Sequence, residues 1–330
     1  MVSKVPLVSV VIPTYNRAAF VGEAVESVLN QTFTDYEIIV VDDGSTDNTK
    51  ESLMRYGDKI KYIYQENLGV SAARNTGIRN STGTWLAFLD SDDQFSAEYL
   101  SRQMERAGQF PGICMQTTDC QCHERESKRR TYFQMNGVIS EFKGRDYLLI
   151  AEPFRFIVMH GLLWQVGSTI FHRNAIERAG LFDTAFKLAE DFDLMARVAL
   201  QGPMGILKEA LVNLYRREES TECLTNQIKT NPVQARESEE KVYKKLQQIG
   251  TLKYKERKAL NQFCSSNRRA IGNLLLEKGD IANARKSYRQ AFFIDRSARA
   301  LAKWLLSYFP MNINLWVSQK LRKKQTLIPE

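Results

Sequence analysis

Short apolar runs rich in β-branched residues recur through the first ninety positions, and most of them stop at a polar turn. Val8 to Ile12 ends at Pro13, Ile38 to Val41 ends at Asp42, and Trp85 to Leu89 ends at Asp90, with a further run at Ile60 to Tyr64. Each reads as a strand. Between them lie helical stripes. Over 18–29, Phe20, Val21, Ala24, Val25 and Val28 fall on one helix face, and a second helix is predicted over 69–79. Ser45 and Thr46 offer helix caps after the second strand. Strand–helix alternation with right-handed crossovers predicts an α/β fold built on a mainly parallel sheet with helices on both faces. The polar turns then collect at the carboxyl ends of the strands, where open sheets bind ligands.

Past residue 94 the periodicity weakens, and the stretch CQCHERESKRRTYF reads as a solvated hairpin or loop. From about Asn231 strand formers thin out and helical patterning takes over, so the chain is expected to divide into a first domain over 1–228 and a helical region over 229–330. Inside the latter, Gly272, Leu275, Gly279, Ala284, Tyr288 and Ala291 have the offsets of one tetratricopeptide-like helix pair, with Arg296 where a proline would close it.

The turns carry chemistry. Asp90, Ser91, Asp92 and Asp93 follow a strand directly. Clustered carboxylates repel unless donors or a cation neutralise them, and hard oxygen ligands select Mg2+ or Mn2+, which bridge a diphosphate well. A capped turn is the plainer alternative. Asp42 and Asp43 stand at another strand end, where an acceptor-only carboxylate can take the imide N–H of a base; an Asx turn or cap would also place Asp43 there.

Four segments in order, PTYNR at 13–17, VDDGSTD at 41–47, NxGxxxARNxG at 67–77 and DSDD at 90–93, resemble glycosyltransferase family 2. The resemblance implies a GT-A fold, of Rossmann-like type, that moves a sugar from a nucleotide-diphosphate donor with inversion. It sets Pro13, Thr14 and Tyr15 around the base, Asp42 on its N–H edge, Arg74 near base and ribose, and Asp90 facing the ribose. Asn16, Arg17, Asp43, Gly69 and Ser91 join that nucleotide-binding set, and Asp92 is the implied ligand of Mn2+ or Mg2+. Arg74 reads equally as a structural arginine on a helix face. UDP is the first expectation for the nucleotide, with GDP and dTDP open.

The segment GLFDTAFKLAEDFDLMARV at 180–198 also resembles the family and makes Asp191 the general base, with Glu190 beside it toward the acceptor. An acidic first helical turn is the simpler account of that pair. The QxxRW motif of processive members is absent after Asp191, which implies one sugar added per encounter. No histidine follows Tyr215, so Arg216 or Arg217 is expected to neutralise phosphate instead. Trp164 is a candidate for stacking on a sugar, although a core role fits a tryptophan too, and His160 and His172 read as structural.

Composition changes this picture little. A net charge of +8 on 330 residues suits an anionic partner, but the N-terminal half has no basic helix interleaved with aromatics and no RNA-binding strand signature to mark nucleic acid. Cys114, Cys120, Cys122, Cys223 and Cys264 show no paired spacing and read as reduced thiols. No run is long enough to cross a bilayer and the N-terminus does not read as a signal peptide, so a cytoplasmic location is expected. Residues 297–330 hold six Lys or Arg against one acidic residue, interleaved with Trp304, Leu305, Tyr308, Phe309 and Trp316. That tail either lies on an anionic membrane face or packs its apolar side on the protein. The sum is a metal-dependent transferase acting on a glycan or lipid-linked hydroxyl in surface-glycan synthesis. A non-catalytic nucleotide-sugar-binding scaffold, recruiting partners through its helical half, is the alternative.

Overall fold

A computed structural model describes residues 5–123, 130–160, 165–215 and 230–309. The chain forms two compact units, Met1–Ser220 and Thr221–Glu330. Trp164, Arg216, Arg217, Cys223, Leu315 and Trp316 lie outside the described residues.

The first unit holds strands β1 (Val8–Thr14), β2 (Tyr36–Asp42), β3 (Lys61–Tyr64), β4 (Trp85–Phe88), β5 (Gln94–Phe95), β6 (Met115–His123), β7 (Tyr147–Ile150), β8 (Thr169–His172) and β9 (Met204–Tyr215). Among the described residues they make one sheet in the order β3-β2-β1-β4-β8-β6-β9-β5, with β7 also on β9. The first four strands are mutually parallel, as the alternation predicted. Beyond β4 the pairing is mixed: β8 runs antiparallel to both β4 and β6, while β6 and β9 are parallel.

Helices α1 (Val21–Leu29), α2 (Thr49–Met54) and α3 (Val70–Arg79) cover the parallel part. Alternation along β2 sorts its two faces. Ile38 and Val40 pack in one core with Val21, Ala24, Val25 and Val28 of α1. Ile39 and Val41 pack on the opposite side with Ala73 of α3. Two-faced burial explains why these strands read as unbroken apolar runs. Pro13 lies past the last β1–β4 pair, Val11 with Phe88, so its missing N–H removes no ladder bond on that side.

The polar strand β6, MQTTDCQCH, gave no apolar signal, yet Met115 to Cys120 are all buried. Gln116 donates to the backbone and side-chain oxygens of Gln103, both at 2.8 Å, and Asp119 accepts from the Cys120 and Phe133 amides at a break in register. The expected hairpin or loop at 120–133 begins as strand, and Gln121 bridges antiparallel to Thr131.

In the second unit, helices Pro232–Gln247, Tyr254–Glu277, Ile281–Asp295 and Ala298–Leu306 pack in sequence. The tetratricopeptide-like spacing has a steric reason. A Cβ on Gly272 would meet the Tyr288 ring at 2.5 Å, so only glycine lets the second helix approach this closely. Ala284, Tyr288 and Ala291 are buried on the facing side, and Gly279 turns the chain at φ +81°. Arg296, at the proline position of the motif, ends its helix at φ +51°.

Candidate functional site

Thr14 and Asp42 are register partners at the ends of β1 and β2, so the loops after them emerge side by side. Hydrogen bonds tie those loops together. The Asn16 amide donates to Ser45 Oγ at 2.9 Å, and the Thr46 amide donates to Asn16 Oδ1 at 2.8 Å. The amides of Arg17 and Ala18 donate to Thr49 Oγ1 and Asp47 Oδ2. Asn16 has φ +50°, a conformation asparagine tolerates better than most residues. Thr14 Oγ1 is buried and has no hydrogen-bond partner among the described residues, and Tyr15 leaves its ring partly open to solvent.

The two aspartates do different work. Asp42 is 1% exposed; its Oδ1 accepts the Ser45 amide at 2.9 Å and its Oδ2 the Tyr62 hydroxyl at 2.8 Å. Burial, then that carboxylate, pushes the Tyr62 phenol up. Asp43 accepts from Gln65 Nε2 and from the amides of Leu68 and Gly69 at 2.6–3.0 Å. It latches the segment that starts α3. Gly69, at φ +89°, makes the turn into that helix, and α3 carries Arg74. Sequence reasoning missed Gln65 and Tyr62, single polar residues outside the motifs, and gave no role to Asp47, the last residue of VDDGSTD.

Arg74 is the centre of the site. Its guanidinium donates to Asp90 Oδ1 at 2.9 Å, Glu190 Oε1 at 3.1 Å and Asp191 Oδ1 at 2.9 Å, while its side chain is only 3% exposed. Expected near the base and ribose, it joins the DSDD turn to the acidic pair. The neighbouring Asn75 clamps the backbone of Phe182, donating to its carbonyl at 2.9 Å and accepting from its amide at 3.0 Å. The Phe182 ring lies 5.3 Å from the Arg74 guanidinium. Adjacent side chains of ARN thus bind the GLFD and ED segments together.

Glu190 and Asp191 open helix α4 (Glu190–Val198), where the helix dipole favours negative charge. Ala189 enters it at φ +65°, a left-handed conformation unusual for alanine. Farther along, Asp193 holds Arg197, which donates to the carbonyls of Ala179, Gly180 and Leu181 and fixes the helix to the preceding turn.

Three carboxylates around one guanidinium leave an excess of negative charge. Burial, followed by the Asp191 charge, pushes Glu190 up to about 7 against the pull of Arg74. Burial also raises Asp191, with Arg74 opposing. Folding therefore draws a proton onto Glu190 where the unfolded carboxylate is ionised. Its stabilising contribution is complete below the ordinary 4.5 and is lost as pH rises through about 7. Urea denaturation across that window should show stability falling with pH in the native protein and a flatter dependence in Glu190→Gln. Equal slopes would remove Glu190 as the source.

Of the DSDD tetrad, Asp90 faces Arg74, Ser91 is buried, and Asp93 accepts the Tyr215 amide at 2.9 Å. No group of three or more His, Cys, Asp or Glu suited to holding a metal ion occurs among the described residues. His172 packs edge-on against Trp85, its pKa lowered by burial, and His160 bonds the Phe156 carbonyl within its own helix. Both are structural contacts. Cys114, Cys120, Cys122 and Cys264 are buried and form no disulfide.

The family model for glycosyl transferase family 2 matches residues 9–179, from β1 to the end of the helix after β8. The chain belongs to this family. An uncharacterized glycosyltransferase of Bacillus subtilis, EpsJ, is 37% identical over 202 residues, covering 58% of this chain and 56% of that protein. The chain thus spans about half the length of the curated relatives it first matches. TarS 1–349 of S. aureus, solved in complex with UDP-GlcNAc, superimposes with a TM-score of 0.64 at 17% identity, covering 95% of this chain and 92% of that one. The mannosyltransferase PcManGT of Pyrobaculum calidifontis, in complex with GDP-Man and Mn2+, gives 0.58 at 17% identity, covering 96% and 84%. At these identities the two structures establish a shared fold, the GT-A type, for this family 2 chain.

Proposed function

We propose that the protein is an inverting, metal-dependent glycosyltransferase that moves one sugar from a nucleotide-diphosphate donor, first of all UDP, to a hydroxyl of a glycan or lipid-linked acceptor in surface-glycan assembly. The observation that carries this reading is the convergence of Asp90, Glu190 and Asp191 on buried Arg74, because it joins a strand-end turn suited to a diphosphate with a carboxylate suited to a base. Support for the donor class comes from the family and from the TarS and PcManGT complexes with UDP-GlcNAc and GDP-Man.

In this reading the paired loops at 14–17 and 42–47 receive the base, with Tyr15 against it and the orphaned Thr14 hydroxyl supplying a polar contact. Asp42 is nearly closed to solvent, so its share in recognition passes through the Ser45 amide and Tyr62 hydroxyl that it orients. Asp191 accepts the acceptor's proton as the new bond forms. A carboxylate raised toward neutrality is a stronger base than an ordinary one, while Arg74 and the Val166 amide keep it aimed. One base and one displacement give inversion.

The donor set fits a hard divalent cation shared with substrate, since such ions are often held by one or two carboxylates plus phosphate oxygens. Asp92 is the proposed ligand. Bound there, Mn2+ or Mg2+ would neutralise charge on the departing diphosphate.

A thermal-shift screen with UDP, GDP, dTDP and CDP, each with and without Mn2+, tests the reading. A diphosphate at 100 times its Kd stabilises the native state by about 2.7 kcal/mol, a rise of several degrees. Metal-dependent stabilisation by one nucleotide, lost in Asp92→Ala, is expected. No shift with any of them would overturn the reading.

A further inference from the structure

We propose that the exposed face formed by helices Ile281–Asp295 and Ala298–Leu306 docks the protein on an anionic lipid surface, an inference that goes beyond the transfer reaction and does not depend on it.

The face is built from two helical stripes. Leu301, Leu305, Tyr308 and Phe309 stand at spacings of four, seven and eight, which puts them on one side of the last helix and its end. Arg285, Arg289 and Phe293 recur every four residues on the preceding helix. The stripes lie side by side: the Arg285 guanidinium sits 4.1 Å from the Tyr308 ring centre, and the Phe293 and Trp304 rings are 6.1 Å apart. Phe293, Leu305, Tyr308 and Phe309 are each more than half exposed, at 60%, 54%, 59% and 57%. Side chains of this size seldom gather on a surface that meets only water.

Charge selects the occupant. Residues 281–309 hold six Lys or Arg and one acidic residue, Asp295, whose side chain is 10% exposed and paired with Arg269. The one-sided excess continues in the sequence through Lys320, Arg322, Lys323 and Lys324. Guanidinium groups stacked on exposed rings present cationic and apolar surface together, as at Arg289 over Phe293. An anionic leaflet responds to the sum of charge and to apolar side chains at headgroup depth, without a shaped pocket. No helix among the described residues is long and apolar enough to cross a membrane, so the contact would be peripheral.

Co-sedimentation of the full chain with phosphatidylcholine vesicles, alone or mixed with phosphatidylglycerol, tests the proposal. The protein should pellet with the anionic vesicles, stay in solution with the neutral ones, and be released by salt. Leu305→Glu with Phe309→Glu, and separately Arg289→Glu, should each weaken binding about tenfold or more while circular dichroism stays unchanged. Absence of binding to anionic vesicles, or equal binding of native and variant proteins, would overturn it. So would a change of oligomeric state in the double variant with vesicle binding intact, since the face would then belong to a second copy.

Discussion

Asp191→Asn is expected to lower sugar transfer by about a hundred- to ten-thousand-fold, the usual contribution of a positioned general base. The amide keeps the size of the carboxylate and one acceptor oxygen for Arg74, so the change removes basicity with little change in packing. Release of nucleoside diphosphate from the donor, followed with water as acceptor, reads the effect before the natural acceptor is identified. Stabilisation by the nucleotide with metal should persist, because the base-binding loops and Asp92 belong to other segments. Turnover within a few-fold of the native enzyme would transfer the role to another group and sink the assignment.

Arg74→Met is expected to destabilise the first unit strongly. It strips the shared cation from Asp90, Glu190 and Asp191, and removing one partner of a buried ion pair costs about 3–5 kcal/mol. For a unit of this size that corresponds to a fall of roughly 10 °C in Tm. The loss should be largest at high pH and shrink as pH falls below about 7, because a protonated Glu190 needs no counter-charge. Arg74→Lys should recover only part, since a point charge on a flexible stem cannot reproduce a planar fork with several fixed donors. A loss independent of pH would show that packing against Phe182, and not charge, dominates at this position.

The part of the molecule that sequence reveals is the part whose signals are local. β1, β2 and β4 are short apolar runs with their turn residues attached, and Gly69 and Asn16 mark backbone conformations that few other residues adopt. The far half of the sheet lacks such signals. In β6 the buried positions include Gln116, Thr117, Thr118 and Asp119, which are satisfied by partners such as Gln103, Ser168 and the amide of Phe133, contacts no periodicity encodes. The site divides in the same way. Asp90 and Asp191 stand out as strand-end and helix-start acids, but their meeting on Arg74 depends on how distant segments fold against each other. Arg74, read from sequence as base-proximal or structural, owes its place to Asp43 and Asn75, neither of which announces that task.

Arg74 stands 16 residues before Asp90 but 116 and 117 before Glu190 and Asp191. At synthesis rates of roughly 5–20 residues per second, the acidic pair follows by on the order of ten seconds. During that interval the guanidinium has one of its three carboxylate partners to meet, and the paired loops at 14–17 and 42–47 are already complete in the nascent chain. Late closure of such a distant contact is also what slows folding, because the loop entropy must be lost before the contact forms. The strand-end loops after β1 and β2 are thus made first, and the proposed chemistry becomes available only when the second half of the sheet has closed onto them.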